Sequence, residues 1–218
     1  MLVAGVDDAG RGAVIGPLVI AGILLHESDL PKLVALKVKD SKLLSPRRRE
    51  RFVEEIEKVA LKHHIVELSP AEIDKVVSRG KKYHKLNRLE ASGMAEVILN
   101  LRPDIAFVDA SDVVADRFRE HILEGIPFRV EVISEHKADR NYPVVSAASI
   151  LAKVRRDMAI ANLTKQYGDI GSGYASDDRT MRFLERWITE HDSYPEFVRK
   201  SWKPAKRLKD RLSQTRLL

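Results

Sequence analysis

Asp7 and Asp8 stand side by side where a short apolar run, Leu2 to Val6, breaks off into Ala9-Gly10-Arg11-Gly12. Adjacent carboxylates are hard oxygen donors, and a loop with glycine on both sides of an arginine lets backbone amides come close to a phosphate. Arg11 adds a positive fork that matches an anion. A second apolar run, Ile105 to Val108, stops at Asp109 in the same way, and Asp139 closes the polar stretch Glu135 to Asp139. Four carboxylates in a chain without cysteine select a hard cation, so Asp7, Asp8, Asp109 and Asp139 can hold two magnesium or manganese ions, with waters and substrate oxygens completing the shells. Two such ions about 3.5–4 Å apart activate a water and stabilise a leaving oxygen without a protein nucleophile, which fits phosphodiester hydrolysis. Brought together without cations, the four groups would repel and some would take up protons.

Each residue also has a plainer reading. Asp-Asp followed by glycines is also a turn after an edge strand, and an aspartate before a helix is commonly a cap. Regular strand geometry sends Asp7 and Asp8 to opposite faces, so both serve one site only if the backbone leaves the strand near Asp8, which Gly10 and Gly12 permit. Lys39, Ser41 and Lys42 can contact phosphates or form a solvated turn. His136 and Lys137, which precede Asp139, can assist product departure or hold a phosphate, although a lone histidine is more often structural. Trp187 and Trp202 lie beside helical apolar patterns and read as packing residues.

The elements that must position these groups follow from periodicity. Val14 to Leu25 reads as a second strand, irregular near its start, returning beside the first across the Gly10-Arg11-Gly12 loop. Ser45-Pro46 opens a helix carrying Phe52, Ile56 and Val59, and His64 to Leu68 is a short strand. Ser69-Pro70-Ala71-Glu72 has capping-box spacing and starts a short helix through Val77. After a basic loop from Arg79 to His84, Leu86, Leu89, Met94, Val97, Ile98 and Leu101 mark an amphipathic helix. The strand ending at Asp109 leads to a helix carrying Val113, Phe118 and Ile122 that closes at Gly125, then to a strand over Phe128 to Ile133. Pro143 begins a helix with a small-residue face, Ala147, Ala148 and Ala152. Met181, Leu184 and Ile188 mark another, capped by Ser176 or Asp177. This order argues for an α/β mixed sheet flanked by helices.

The strings Gly5-Val-Asp-Asp-Ala-Gly-Arg-Gly12, Val14-Ile-Gly-Pro-Leu-Val19, Lys39-Asp-Ser-Lys42, Glu135-His-Lys-Ala-Asp139 and Gly171-Ser-Gly-Tyr-Ala-Ser-Asp177 together closely resemble the type 2 ribonuclease H family, its archaeal form most. The likeness runs from Val3 to about Lys203. It implies a ribonuclease H-like fold, a mixed five-stranded sheet flanked by helices, with residues 1–175 as the catalytic domain and 176–218 as a basic, helical, substrate-binding extension. By resemblance Asp7 is the central metal ligand, with Asp109 and Asp139 beside it. Asp8 takes the place of the family's glutamate on a stem one methylene shorter, which predicts reduced rather than absent activity. The reaction implied is cleavage of the RNA strand of RNA–DNA hybrids, and of duplex DNA at embedded ribonucleotides, leaving 3′-hydroxyl and 5′-phosphate ends. Gly10, Arg11 and Gly12 resemble the element that senses the 2′-hydroxyl with backbone groups. Tyr174 resembles the tyrosine that stacks on the next deoxyribose. Two alternatives remain at this stage: a weakly active or non-catalytic hybrid-binding protein, and a DNA nuclease or resolvase of the same broad fold.

Composition agrees with a nucleic-acid enzyme. The chain has 218 residues and a net charge of +6, but Arg199 to Leu218 carries eight basic residues against one acid, leaving the preceding 198 residues at −1. Such a tail is expected to lie along a phosphate backbone, the other reading being a solvated end. The absence of cysteine excludes disulfides, and no stretch approaches the roughly 20 apolar residues of a membrane span. A monomer in the cytoplasm, without membrane contact, is expected.

Overall fold

The first strand, β1 (Leu2–Ala9), is buried along most of its length and forms the centre of the sheet. The computed structural model describes residues 1–38, 46–78 and 82–215, so the candidate phosphate contacts Lys39, Ser41 and Lys42 lie outside the described residues. Five strands order as β3-β2-β1-β4-β5, where β2 is Leu18–His26, β3 Lys62–Leu68, β4 Ile105–Asp109 and β5 Glu131–Glu135. β1 pairs antiparallel with β2 and parallel with β4, and β5 joins β4 in parallel. The mixed sheet expected from the sequence is present. The second strand begins at Leu18, later than the apolar run suggests, because Val14 to Pro17 form a loop around Gly16, at φ +88°.

Helices cover both faces. Along β1, Ala4 and Val6 join the apolar cluster shared with Leu86, Met94 and Ile98 of α4 (Lys82–Leu101). Val3 and Ala9 face the other cluster, with Val144, Val145 and Ile150 of α7 (Pro143–Tyr167). Gly5 permits the close approach of α7, since a Cβ there would lie 2.3 Å from the Val144 carbonyl carbon. The remaining helices are α1 (Leu30–Ala35), α2 (Pro46–Val59), α3 (Pro70–Val77), α5 (Ala115–Leu123), α6 (Ala138–Asn141), α8 (Asp178–Glu190) and α9 (Lys203–Thr215). Among the described residues, no helix is long and apolar enough to cross a membrane.

Local chemistry sets several boundaries as the sequence predicts. Ser69 caps α3 through a full capping box: Glu72 N donates to Ser69 Oγ, and Ser69 N donates back to Glu72 Oε2 at 2.8 Å. Ser69→Ala is expected to lower unfolding stability by about 1 kcal/mol, read as a shifted urea midpoint at unchanged slope. Asp177 caps α8, accepting from Arg179 N at 3.0 Å. Val113 does not join α5; it is exposed, and the helix begins two residues later.

Candidate metal centre and nucleic-acid cleft

Sheet register brings the first two carboxylates together. β1 and β4 run parallel with Val6 opposite Val108, so Asp7 and Asp109 follow one step later at adjacent carboxyl ends. This is the edge of a parallel sheet where ligands are usually bound. Asp139 arrives from α6, after a turn in which Lys137 adopts φ +60°, a left-handed conformation uncommon for a side-chain-bearing residue. Ala138 N donates to Asp109 Oδ1 at 3.1 Å, so the turn is fastened to the carboxylate it must approach. Ligand oxygens of Asp7, Asp109 and Asp139 all lie within 4.8 Å of one another.

Burial and like charge make this cluster a poor resting place for bare carboxylates. Asp7 is pushed up to about 7, first by burial and then by Asp109, while a Ser149 hydrogen bond and Lys153 pull the other way. Lys153 donates to Ser149 Oγ one turn earlier on α7, so a cation stands behind the hydroxyl that serves Asp7. Three oxygen donors, two of them buried, fit a hard divalent cation. Without metal, Asp7 holds its proton more tightly in the folded chain than in the unfolded one. Its contribution to stability is therefore greatest below about pH 4 and declines as pH rises to about 7. Added Mg²⁺ should raise the thermal midpoint more at about pH 8 than at about pH 5, because at the lower pH the proton competes for Asp7. Equal shifts at the two pH values would refute this.

Asp8 does not join the trio. β1 stays paired through Ala9, opposite Val19, so the backbone does not leave the strand at Asp8 and strand alternation holds. Its side chain turns to the α4 face, where Ser111 Oγ lies 3.4 Å from Asp8 Oδ1 and donates to Glu90 Oε1 at 2.7 Å. Burial, then the neighbouring Glu90, pushes the Asp8 carboxyl well above the usual range. Of the four carboxylates expected to meet, three are gathered within 4.8 Å of one another, and the Asp8 side chain is directed to the α4 face.

Glu90 is a site-forming residue that the sequence reading missed. Fully buried on α4, it accepts from Arg11 Nε at 2.9 Å, while Asn87 Oδ1 accepts from Arg11 Nη2 at 2.6 Å. Arg11 was expected to offer its fork to an anion; instead the fork is engaged with α4 and anchors the glycine loop. His136 is also structural in placement. Its two ring nitrogens each lie 3.2 Å from a backbone carbonyl, of Ala110 and Val113, joining the loop after β4 to the turn after β5.

Beside the trio, Asp8, Gly10, Gly12, Lys153, Arg156 and Tyr174 are among the residues lining a cleft of about 410 Å³. The Arg156 guanidinium carbon sits 4.4 Å from the centre of the Tyr174 ring, and Arg156 Nη2 donates to Ser172 O at 2.8 Å. Gly10, at φ +89°, lies so close that a Cβ would be 2.6 Å from the Arg156 side chain. The two loops are also joined directly, since Val14 N and Ile15 N both donate to Gly173 O. Gly10, Arg11, Gly12 and Tyr174, far apart in sequence, therefore border one cleft.

A family model described as ribonuclease HII matches residues 4–205. The chain belongs to the ribonuclease HII family. Membership makes it a ribonuclease, and the full-length relatives agree. The ribonuclease HII of Thermococcus kodakarensis is 47% identical over 214 residues, covering 97% of this chain and 91% of that one. Among solved structures, the ribonuclease H2 of Pyrococcus horikoshii superposes with a TM-score of 0.90 at 40% identity, covering 98% of this chain and all of that one. The ribonuclease HII of Archaeoglobus fulgidus, solved in complex with PCNA, gives a TM-score of 0.84 at 43% identity, covering 93% of this chain and 96% of that one.

Proposed function

We propose that this ribonuclease HII cuts the RNA strand of RNA–DNA hybrids, and duplex DNA at embedded ribonucleotides, leaving 3′-hydroxyl and 5′-phosphate ends. Asp7, Asp109 and Asp139 hold Mg²⁺ or Mn²⁺, and Gly10, Arg11, Gly12 and Tyr174 bind the sugar on each side of the cut. The observation that carries the reading is adjacency: three carboxylates gathered within 4.8 Å of one another, next to a cleft walled by a glycine loop and a tyrosine. Divalent ions bound here would supply an activated water and stabilisation of the leaving oxygen. The chain's own residues do the rest. Asp7, supported by Ser149 and Lys153, presents its carboxylate from a rigid strand. The loop amides, being both close and fixed, suit a 2′-hydroxyl, which donates and accepts. Tyr174, backed by the Arg156 guanidinium, offers a flat face for the next sugar.

Residues 176–218 serve as the substrate-binding extension. Lys203, Arg207 and Arg211 line a second cleft with Ala175, the residue after Tyr174, and can follow the phosphate backbone outward from the cut. One observation favours a second reading, a hybrid-binding protein with weak turnover: Asp8 faces Glu90 and Ser111 rather than joining Asp7, Asp109 and Asp139. Incubation of a duplex carrying one ribonucleotide, with and without Mg²⁺ or Mn²⁺, separates the cases. Metal-dependent cleavage at the ribonucleotide is expected; binding without cleavage supports the second reading, and indiscriminate cutting refutes both.

A further inference from the structure

The most unusual buried group in the protein is Arg199. By charge count it belongs to the basic tail, yet it is fully buried, and it is the largest such side chain among the described residues. Its guanidinium donates to three backbone carbonyls: Nη2 to Gly10 O at 2.7 Å, Nη1 to Arg11 O at 2.9 Å and Nε to Gly16 O at 3.1 Å. Taking a cation this far from water is costly unless charge-assisted hydrogen bonds offset it, and all three of these bonds go to the loop around the cleft.

Peptide planarity gives those bonds a consequence. In a trans peptide the N–H points opposite to the C=O. With the Gly10 and Arg11 carbonyls drawn inward to Arg199, the N–H groups of Arg11 and Gly12 are turned outward, on the side where Gly12 is exposed. Two successive amides directed the same way form a concave pair that donates to one oxygen. We propose that Arg199 is a positioning residue for ribose recognition: it fixes the Gly10 and Arg11 carbonyls so that the next two amides stay aimed at the 2′-hydroxyl. This rests on the ribonucleotide-cleaving function proposed above.

The segment that carries Arg199 is built into the same loop. Arg199 N donates to Val14 O at 2.9 Å, Ile15 bridges to Val198, and Gly16 N donates to Phe197 O at 2.9 Å. From the opposite side, Glu90 and Asn87 hold the Arg11 side chain. The loop is thus gripped by its carbonyls and by its one long side chain, leaving the two amides toward the cleft.

The test compares affinity for two duplexes of one sequence, one with a single ribonucleotide and one all-deoxy, with Ca²⁺ replacing Mg²⁺ to hold off cleavage. For Arg199→Met, preference for the ribonucleotide duplex should fall at least about fivefold while all-deoxy affinity stays within about twofold. Arg199→Lys, which keeps the charge and part of the bonding, should be intermediate. Asp74→Ala serves as the control, since Asp74 accepts from Lys200 N, Ser201 N and Ser201 Oγ and anchors the same segment through those groups, acting on the guanidinium by charge alone and not on the loop carbonyls. It should lower the thermal midpoint and leave the preference intact. If Arg199→Met fails to fold, the lysine variant carries the test. A folded Arg199→Lys with unchanged preference overturns the proposal, as does equal weakening of both duplexes to the degree seen with Asp74→Ala. A wild-type protein with no preference for the ribonucleotide duplex would instead overturn the proposed function, and this inference with it.

Discussion

Asp109→Asn is expected to abolish cleavage of a ribonucleotide-containing duplex, by at least about 10³-fold, while leaving the protein folded and able to bind. The magnitude follows from the loss of one of the three proposed metal ligands, whose ions would stabilise charge in the transition state, on the order of 4 kcal/mol at about 1.4 kcal/mol per decade of rate. The amide oxygen of asparagine can still accept from Ala138 N, which donates to Asp109 Oδ1 at 3.1 Å, so the turn that delivers Asp139 stays fastened. Stability should move the other way from activity. Removing the charge of Asp109 relieves the repulsion that, after burial, raises Asp7, so the metal-free variant should melt no lower than wild type above about pH 7. Single-turnover cleavage at saturating Mg²⁺ and a thermal scan of the metal-free protein measure the two halves. Retention of more than about a tenth of the wild-type rate would remove Asp109 from the proposed site.

The positions of Asp7 and Asp109 were legible because each ends an apolar run, and buried parallel strands bring the ends of such runs to one edge. The sequence placed β2 beside β1, as observed; what it did not disclose was that β4 pairs on the other side of β1. β1 lies between β2 and β4, and the pairing with β4 joins residues about a hundred positions apart, a distance no local pattern spans. The direction of the Asp8 side chain was hidden for a different reason. Glycines at 10 and 12 permit the chain to leave the strand early but do not require it, and pairing to Val19 keeps it in register.

Glu90 carried a usable signal that was missed. Leu86, Glu90 and Met94 fall on one row of α4 at four-residue spacing, so a carboxylate there lies on the buried stripe and needs a partner, which Arg11 supplies. Arg199 carried less. Counting charge along the tail treats every basic residue alike, whereas its burial comes from pairing between Phe197–Arg199 and Val14–Gly16, which only the folded chain brings together. The short helix α1, and the start of β5 at Glu131 rather than Phe128, show the same limit at element boundaries.

Asp8→Glu is expected to raise turnover, by about tenfold or more. Asp8 leaves β1 on the α4 face and its carboxyl rests by Ser111 and Glu90, while Asp8 N donates to Asp7 Oδ1 at 2.7 Å, so the two residues are adjacent through the backbone but point apart. One more methylene lengthens the arm by about 1 Å and lets the carboxylate swing past the strand end toward the ions proposed to bind at Asp7. A misplacement of about 1 Å in a reacting group can cost about a hundredfold in rate, which bounds the gain available. Lengthening also draws the carboxyl away from Glu90, the neighbour that, after burial, does most to raise Asp8, so the glutamate should ionise more readily and bind metal more tightly. The expected signature is a higher kcat together with a lower metal concentration for half-maximal rate, at unchanged affinity for the duplex. If kcat stays the same or falls, the shorter stem is not what limits this enzyme, and Asp8 acts from its present position beside Glu90 and Arg11 as a support of the glycine loop.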